Sequence, residues 1–445
     1  MNRILRFVLA LAKTVICWVR IEEASIVVGV RPYRREQGRC PLCGRRCDAY
    51  DTRPAPRRWR TLDIGQVKCY LEYHAVRVRC PKHGVHVESV PWARHLSRYT
   101  KVFEDRVAWM AVYCTMSAVA EECRIEWKSV GGICRRVWAD LEGSCDFSRF
   151  AGLRRIGIDE TSYKKGHKYL TVVVDHDRGC LIWAGDGLGK EVLGRFFDKL
   201  THEQKMAIEV VTADGAKWIK TLVKAKCPNA EWVMDSFHVV SWMNDALNAV
   251  LTEEWQVAKK AAKDASPKRT RAGRPAKGDE TPVKARELQA QAKAIKGSRF
   301  ALIKGKENLS EAQVSKLDGL KRAGSHLFRA WELKEDLRAV FRADSVDQAE
   351  GLIDDWLKRA CRCRIPQVLE VSRKVRSRRD DIVRAVKLRI GNARVEAINN
   401  KVKVTVRMGY GFRNIDNLIG LLMLRCSDVK PKLPGRPPKH SKDVA

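Results

Sequence analysis

The 445-residue chain carries 86 Lys and Arg against 53 Asp and Glu, a formal net charge of +33 at pH 7. Such an excess repels itself unless the working partner is a polyanion, which points to nucleic acid well ahead of an anionic membrane surface. Apolar residues at 45% exclude wholesale disorder, and the length suits about three domains of roughly 150 residues each.

Residues 1–30 read as an N-terminal arm: a short amphipathic helix, then a β-branched strand at 25–30. The apolar runs at 7–12 and 14–19 are split by Lys13 and fall short of the ~20 residues that span a bilayer. No small-residue cleavage site follows them, so no membrane partner and a cytoplasmic location are expected.

Residues 31–95 hold two cysteine clusters joined by short alternating strands such as 69–79. The first is Cys40-Pro41-Leu42-Cys43-Gly44 and the second Cys80-Pro81-Lys82-His83-Gly84. Two knuckles of matching form bring four soft or borderline ligands together, which suits a closed, structural, tetrahedral Zn²⁺ site. Cys47 or His86 could replace one ligand. Fifteen cysteines, an odd number in a chain too large to need disulfides, otherwise read as buried thiols of a reducing compartment.

Residues 96–148 turn to helical spacing. Val107, Met110 and Ala111 form an apolar face, 117–123 reads as a second helix, and 127–138 as a recognition helix presenting Lys128, Arg135 and Arg136 to a DNA groove. Residues 149–240 then alternate strand and helix patterns. Strands are expected at 154–158, 169–174, 180–184, 207–212 and 231–234, with helices at 191–200 and 217–226, an order that fits a mixed α/β sheet. Residues 241–390 are helical and strongly charged, 391–428 form a further helical segment, and 429–445 a basic disordered tail. Within this part, residues 259–279 read as a solvated linker or a DNA-contacting loop. Two Gly-Arg-Pro cores, at 273–275 and 435–437, resemble minor-groove hooks, although a basic linker is the plainer reading.

In so basic a chain, acidic residues at strand ends stand out. Asp159 ends the strand at 156–158, and Asp214, followed by Gly215, ends the strand at 208–213. Carboxylates converging beyond neighbouring strand ends recruit Mg²⁺, because two such groups cannot both stay ionised without a cation. Glu396 is the candidate third ligand, sharing a helix face with Asn399 or Asn400, Lys403 and Arg407, the last two suited to phosphate oxygens. A strand-end Asp is more often a turn former or helix cap, and Glu160, Asp175 and Asp177 compete on spacing. Asp235 reads equally well as structural. Trp218 and Trp242 could stack on an unpaired base, though core packing is the usual role of tryptophan.

At these residues the chain resembles the bacterial insertion-sequence DDE transposases of the "ISL-three" type. The resemblance is carried by Ile156-Gly157-Ile158-Asp159-Glu160-Thr161-Ser162-Tyr163 and Val211-Thr212-Ala213-Asp214. It continues in Asp235-Ser236-Phe237-His238-Val239, Glu396-Ala397-Ile398-Asn399-Asn400-Lys401 and Gly409-Tyr410-Gly411-Phe412-Arg413. It covers roughly residues 35–425. The resemblance implies a multidomain α/β protein: a zinc-binding domain and helix-turn-helix, then a ribonuclease-H-like catalytic domain interrupted by a long helical insertion. It places the acidic triad on Asp159, Asp214 and Glu396, with Asp235 and His238 supporting the metal site. It implies two Mg²⁺ (or Mn²⁺) ions, Zn²⁺ in a structural role and a nucleoid-associated bacterial protein. The implied activity is cleavage at terminal inverted repeats and joining of the freed 3′-OH ends to target double-stranded DNA, by at least a homodimer. One departure is His83, where the family more usually shows cysteine. Rival readings are a domesticated or inactive transposase acting as a sequence-specific regulator, and a nuclease that hydrolyses without joining.

Overall fold

The computed structural model describes residues 2–9, 11–52, 55–144, 149–266 and 282–436. Helix α1 (Asn2–Val8) leads into β1 (Thr14–Glu22) and β2 (Ser25–Pro32), an antiparallel hairpin that pairs Glu22 with Ser25. Residues 14–22 were not expected as a strand. Thr14, Val15, Ile16, Val19 and Ile21 are β-branched, and the partner strand satisfies the backbone that an isolated short helix would leave exposed. The N-terminal strands continue with β3 (Ala49–Thr52), β4 (Arg57–Ile64), β5 (Val67–Tyr73), β6 (Val76–Cys80) and β7 (Gly84–Val87). They form two sheets, ordered β1-β2-β5-β4 and β3-β6-β7.

Three helices follow, α2 (Lys101–Tyr113), α3 (Met116–Glu122) and α4 (Trp127–Glu142). Thr100 and Thr115 cap the first two through their hydroxyls, which accept from Phe103 N and Ala118 N. Val107, Ala111, Val119, Ile133 and Val137 meet in one core, with Met110 only partly buried at its margin.

The central sheet comprises β8 (Arg155–Lys164), β9 (Lys168–Asp175), β10 (Cys180–Asp186), β11 (Val210–Ala213) and β12 (Glu231–Met234), with α5 (Lys190–Phe197), α6 (His202–Ala207) and α7 (Lys217–Lys226) between them. Its order is β10-β9-β8-β11-β12. The first three strands are antiparallel, and β11 runs parallel to both β8 and β12. Alternation of side chains sorts the two faces. Ile156, Ile158 and Val173 face a core shared with α5, α7 and later helices. Leu170, Val172 and Val174 face the three-helix unit and the C-terminal helices.

After β12 the chain is helical: α8 (Ser236–Asp264), α9 (Val283–Gly297), α10 (Arg299–Ile303), α11 (Glu311–Arg322), α12 (His326–Val340), α13 (Val346–Arg362), α14 (Pro366–Arg376), α15 (Arg379–Leu388), α16 (Ala393–Met408) and α17 (Ile415–Cys426). Part of the expected basic linker is therefore regular helix, since Lys259, Lys260 and Lys263 lie on α8 and Ala258 and Ala262 bury its other face. The rest of that linker, with the first Gly-Arg-Pro core, lies outside the described residues, as does the tail beyond Arg436. The start of the expected disordered tail is docked: the Lys430 ammonium donates to Leu424 O and Arg425 O, capping α17. No helix among the described residues is long and apolar enough to cross a membrane.

Candidate functional site

The two knuckles close on each other. Cys40 Sγ lies 3.6 Å from His83 Nδ1, Cys80 Sγ is also 3.6 Å from it, and Cys43 Sγ is 3.7 Å from Cys80 Sγ. Four ligands around tetrahedral zinc, at about 2.3 Å for sulfur and 2.0 Å for nitrogen, stand about 3.5–3.8 Å apart, so this Cys₃His set fits the ion. All four ligand atoms fall within 4.8 Å of one another. Burial opposes ionisation of the Cys80 thiol, but the backbone N–H groups of Lys82 and His83 pull it down to about 6, toward the thiolate a metal needs. Neither alternative ligand belongs to the set: Cys47 Sγ donates to Arg45 O, and His86 Nε2 is spent on His83 O.

The expected acidic residues lie on β8, just after β11 and on the first turn of α16, and α16 meets β8 through Asn399 and Asp159. Asp159 lies inside β8 rather than at its end, because the hairpin with β9 continues past it, pairing Asp159 with Val172. The parallel pairing with β11 stops at Gly157, so Asp159 stands just beyond that ladder, while Asp214 directly follows β11. Asp159 Oδ1 accepts from Glu160 N (2.7 Å) and Oδ2 from Asn399 Nδ2 (2.6 Å). Burial raises the Asp159 carboxyl above its usual range, against these two bonds and with Asp214 adding repulsion. Asp214 Oδ1 accepts from Ala216 N at 3.0 Å.

Glu396 sits one turn before Asn399 on α16 and is exposed, as are Lys403 and Arg407. Among the described residues, the knuckle ligands are the only group of three or more His, Cys, Asp or Glu drawn within 4.8 Å. Asp159, Asp214 and Glu396 do not form a second such group. A point of fit for a hard cation is the Asn399 Oδ1 oxygen, buried beside Asp159 without a partner.

Below the carboxylates runs a buried polar chain that sequence reading did not find. His176 Nε2 meets Thr212 Oγ1 (2.7 Å), Thr212 Oγ1 donates to Asn392 Oδ1 (2.9 Å), and Asn392 Nδ2 donates to Asp235 Oδ2 (3.3 Å). Asp235 also caps α8 through Phe237 N (3.0 Å) and bonds His238 Nδ1 (3.1 Å), which raises the His238 pKa. Burial pushes His176 down to about 4, so it is neutral at physiological pH. Gly157 lets α16 approach: a methyl built there would lie 2.3 Å from Val395 Cγ2 and 2.7 Å from His176 Nε2.

Of the competing acids, Asp175 and Asp177 are paired with arginines, whereas Glu160 stays close to the pair: burial raises its carboxyl, and Asp214 and Asp159 add repulsion. Asp175 accepts from Arg178, Asp177 pairs with Arg155, and Glu160 Oε1 accepts from Gly189 N at 2.8 Å. Trp218 and Trp242 are half-buried and pack against the core.

On α4, Lys128 and Arg135 are exposed, but Arg136 is turned inward. It donates to the fully buried Glu104 at 2.7 Å, which also takes a bond from Ser97 and pairs with Arg94 at 3.2 Å. Arg136 is thus committed to holding α4 on α2. The α17 helix packs closely on α4, with Gly420 against the Arg135 backbone, and Arg425 of α17 donates to Ala111 O and Cys114 O at the end of α2.

Comparison with known proteins agrees with this layout. The zinc-finger profile of the transposases of IS204, IS1001, IS1096 and IS1165 matches residues 36–83. The helix-turn-helix domain of transposase family ISL3 matches residues 88–138, and the transposase profile of the same family matches residues 156–422. The chain is 43% identical, over 98% of its length and 97% of the relative's, to the transposase for insertion sequence element IS1557 of Mycobacterium tuberculosis. It is 25% identical, over 84% of its length and 85% of the relative's, to the transposase for insertion sequence element IS1001 of Bordetella parapertussis. With zinc ribbon, helix-turn-helix and transposase domain matched in series, the chain belongs to the ISL3 family of insertion-sequence transposases.

Proposed function

We propose that this chain binds the terminal inverted repeats of its element, cuts DNA at the element ends and joins the 3′-OH ends to target DNA. The zinc-binding segment (31–95) and helix-turn-helix (96–148) would read the repeats, Lys128 and Arg135 of α4 being exposed although α17 packs against the backbone at Arg135. The catalytic unit would be 149–240 joined by 391–428, a ribonuclease-H-like fold split by the helices of 241–390. The sheet order, three antiparallel strands followed by two parallel ones, supports that reading.

The observation that carries the proposal is the 2.6 Å bond from Asn399 to Asp159. It brings the helix of Glu396 onto the strand of Asp159, beside the loop of Asp214. Asp159, Asp214 and Glu396 would hold two Mg²⁺ or Mn²⁺ ions, which when bound supply Lewis acidity to the attacking and leaving oxygens. Asn399 orients the Asp159 carboxylate, while Asp235 and His238 fix the start of α8 below it. Lys403 and Arg407, on the exposed side of the same helix, would take phosphate oxygens of the DNA. Phosphodiester hydrolysis leaves a 3′-OH on the element end. That hydroxyl attacks a target phosphorus, forms the new P–O bond and expels a target 3′-oxygen, which leaves with a proton. Synapsis of two ends implies a dimer or higher assembly.

The test is incubation of full-length protein and Mg²⁺ with a duplex carrying the element's own ends, wild type beside Asp159→Asn. Cleavage at the repeat boundary and joined products, both lost in the variant, are expected. Specific binding with no cleavage by either protein would point to a regulator, and cleavage without joining to a plain nuclease.

A further inference from the structure

The loop after β11 has a neighbour that neither the triad nor the polar chain accounts for. Asp214 is followed by Gly215, and a methyl built on Gly215 would lie 3.5 Å from Arg378 Cζ and 3.6 Å from one of its terminal nitrogens. The guanidinium therefore lies within van der Waals reach of the backbone beside Asp214, while the atom a side chain there would crowd is Met234 Cε, at 2.9 Å. It comes from far along the chain, immediately before α15.

Its position is held from both sides. Asp381, one turn further on, binds Lys220 of α7 at 2.6 and 2.9 Å. Arg384, another turn on, donates to Trp232 O of β12 at 3.4 Å and pairs with Asp381 at 3.0 Å. The start of α15 is thus clamped to α7, which follows the Asp214 loop, and to β12, the sheet neighbour of β11. The adjacent Arg379 points elsewhere, forming a two-bond pair with Asp354 at 2.8 Å.

Arg378 itself is half-buried and its guanidinium has neither an ion pair nor a hydrogen bond among the described residues. A partly desolvated guanidinium without an anion is unfavourable, and Asp214, whose loop it touches, does not form a pair with it. Among the described residues no anion meets this guanidinium, which leaves it available to an anion arriving at the carboxylate site. A planar fork of donors suits carboxylates and phosphates alike, and in a chain of net charge +33 the anion expected from outside is a nucleic-acid phosphate.

We propose that Arg378 binds the DNA phosphate that enters the acidic site, the helical segment thereby contributing a catalytic residue to the sheet it packs on. The inference rests on the proposed strand-cleaving function, and the groups facing that phosphate would be Arg378 on one side and the carboxylates on the other.

The experiment uses the full-length chain and a duplex carrying the element's end, with the phosphate at the cleavage point either native or replaced by a neutral methylphosphonate. Cleavage of the native duplex is expected to fall on the order of 10²–10³-fold in Arg378→Ala, as when one fixed donor to a developing charge is removed, and less in Arg378→Lys. Binding gives a second readout independent of activity. Wild type should lose about 10-fold in affinity on neutralisation of that phosphate, the worth of one charge-assisted hydrogen bond, and Arg378→Ala should lose little. Should Arg378→Ala not fold, Arg378→Gln keeps most of the stem and answers the same questions. Wild-type cleavage by Arg378→Ala, or an unchanged response to phosphate neutralisation, overturns the proposal while leaving the function standing. Absence of cleavage by the wild type itself would instead count against the function, and the binding comparison would still decide Arg378.

Discussion

Asn392 is the joint through which the helix of Glu396 is held to the sheet, and its removal has a calculable cost. The side chain is 8% exposed and makes two bonds, accepting from Thr212 and donating to Asp235. Its own carbonyl accepts from Glu396 N at 2.9 Å, which ties the first turn of α16 to the same residue. Asn392→Ala deletes both side-chain bonds but leaves Thr212 with His176, and Asp235 with His238 and Phe237 N, so neither group is orphaned. At about 1 kcal/mol net per bond plus a small cavity, the loss is about 2–3 kcal/mol. Asn392→Asp is the sharper variant: it retains an acceptor for Thr212 but sets a second carboxylate against Asp235. Repulsion raises the folded pKa of the introduced acid above its unfolded value. Its tolerable, protonated form is fully present below the unfolded pKa and is lost as pH rises through the raised one, so Asn392→Asp should do worse at pH 7 than at pH 4. Hydrogen exchange of the amides at 396–401 reports the opening of this turn directly. A loss of 2–3 kcal/mol corresponds to exchange roughly 30- to 150-fold faster in Asn392→Ala. Unchanged exchange in both variants would refute the reasoning that this chain of bonds holds α16 in place.

Other consequences follow from single contacts. Gly157→Ala would drive a methyl into Val395 and His176, costing about 1–3 kcal/mol and lowering DNA cleavage by displacing α16; calorimetry and a cleavage assay together check this. Cys43→Ser, or a zinc chelator, should remove the tether between the knuckles and abolish specific binding of an element end while leaving the transition of the central sheet in place; gel shift and circular dichroism separate the two effects. Because burial raises the Asp159 carboxyl, its favoured neutral form is populated below its unfolded pKa and lost as pH rises through the folded one. Metal-free Asp159→Asn should therefore melt higher than wild type at pH 7, with the difference shrinking toward pH 4. An equal or lower melting temperature at pH 7 would contradict that assignment.

Short-range patterns were the most legible. The spacing of each knuckle already encodes a ligand pair, and the 217–226 helix and 231–234 strand appear with the boundaries their periodicity suggests. Where tertiary pairing decides, local reading fell short. Residues 14–22 begin as an apolar run set off by Lys13 and become a strand once β2 is beside them, and Asp159 reads as a strand end because the apolar run stops at Ile158, whereas pairing with β9 carries the strand past it. Arg136 reads as an exposed helix cation, but the buried Glu104 of a neighbouring helix claims it. His176, Asn392 and Arg378 carried no local signal at all. Each acquires its role from a partner far away in the chain, as Asn392 does from Asp235 and Thr212, and no spacing rule encodes such a meeting.

The central claim is that Asp159, Asp214 and Glu396 share one metal site, with Glu396 closing on it although it is exposed one turn from Asn399. Replacing Mg²⁺ by Fe²⁺ in the complex with an element-end duplex, then generating hydroxyl radicals from the bound iron, cuts the polypeptide where it approaches the ion. Three cuts near residues 159, 214 and 396, all suppressed by excess Mg²⁺, are the predicted result. Cuts at 159 and 214 with none near 396 would contradict the triad and require another third ligand.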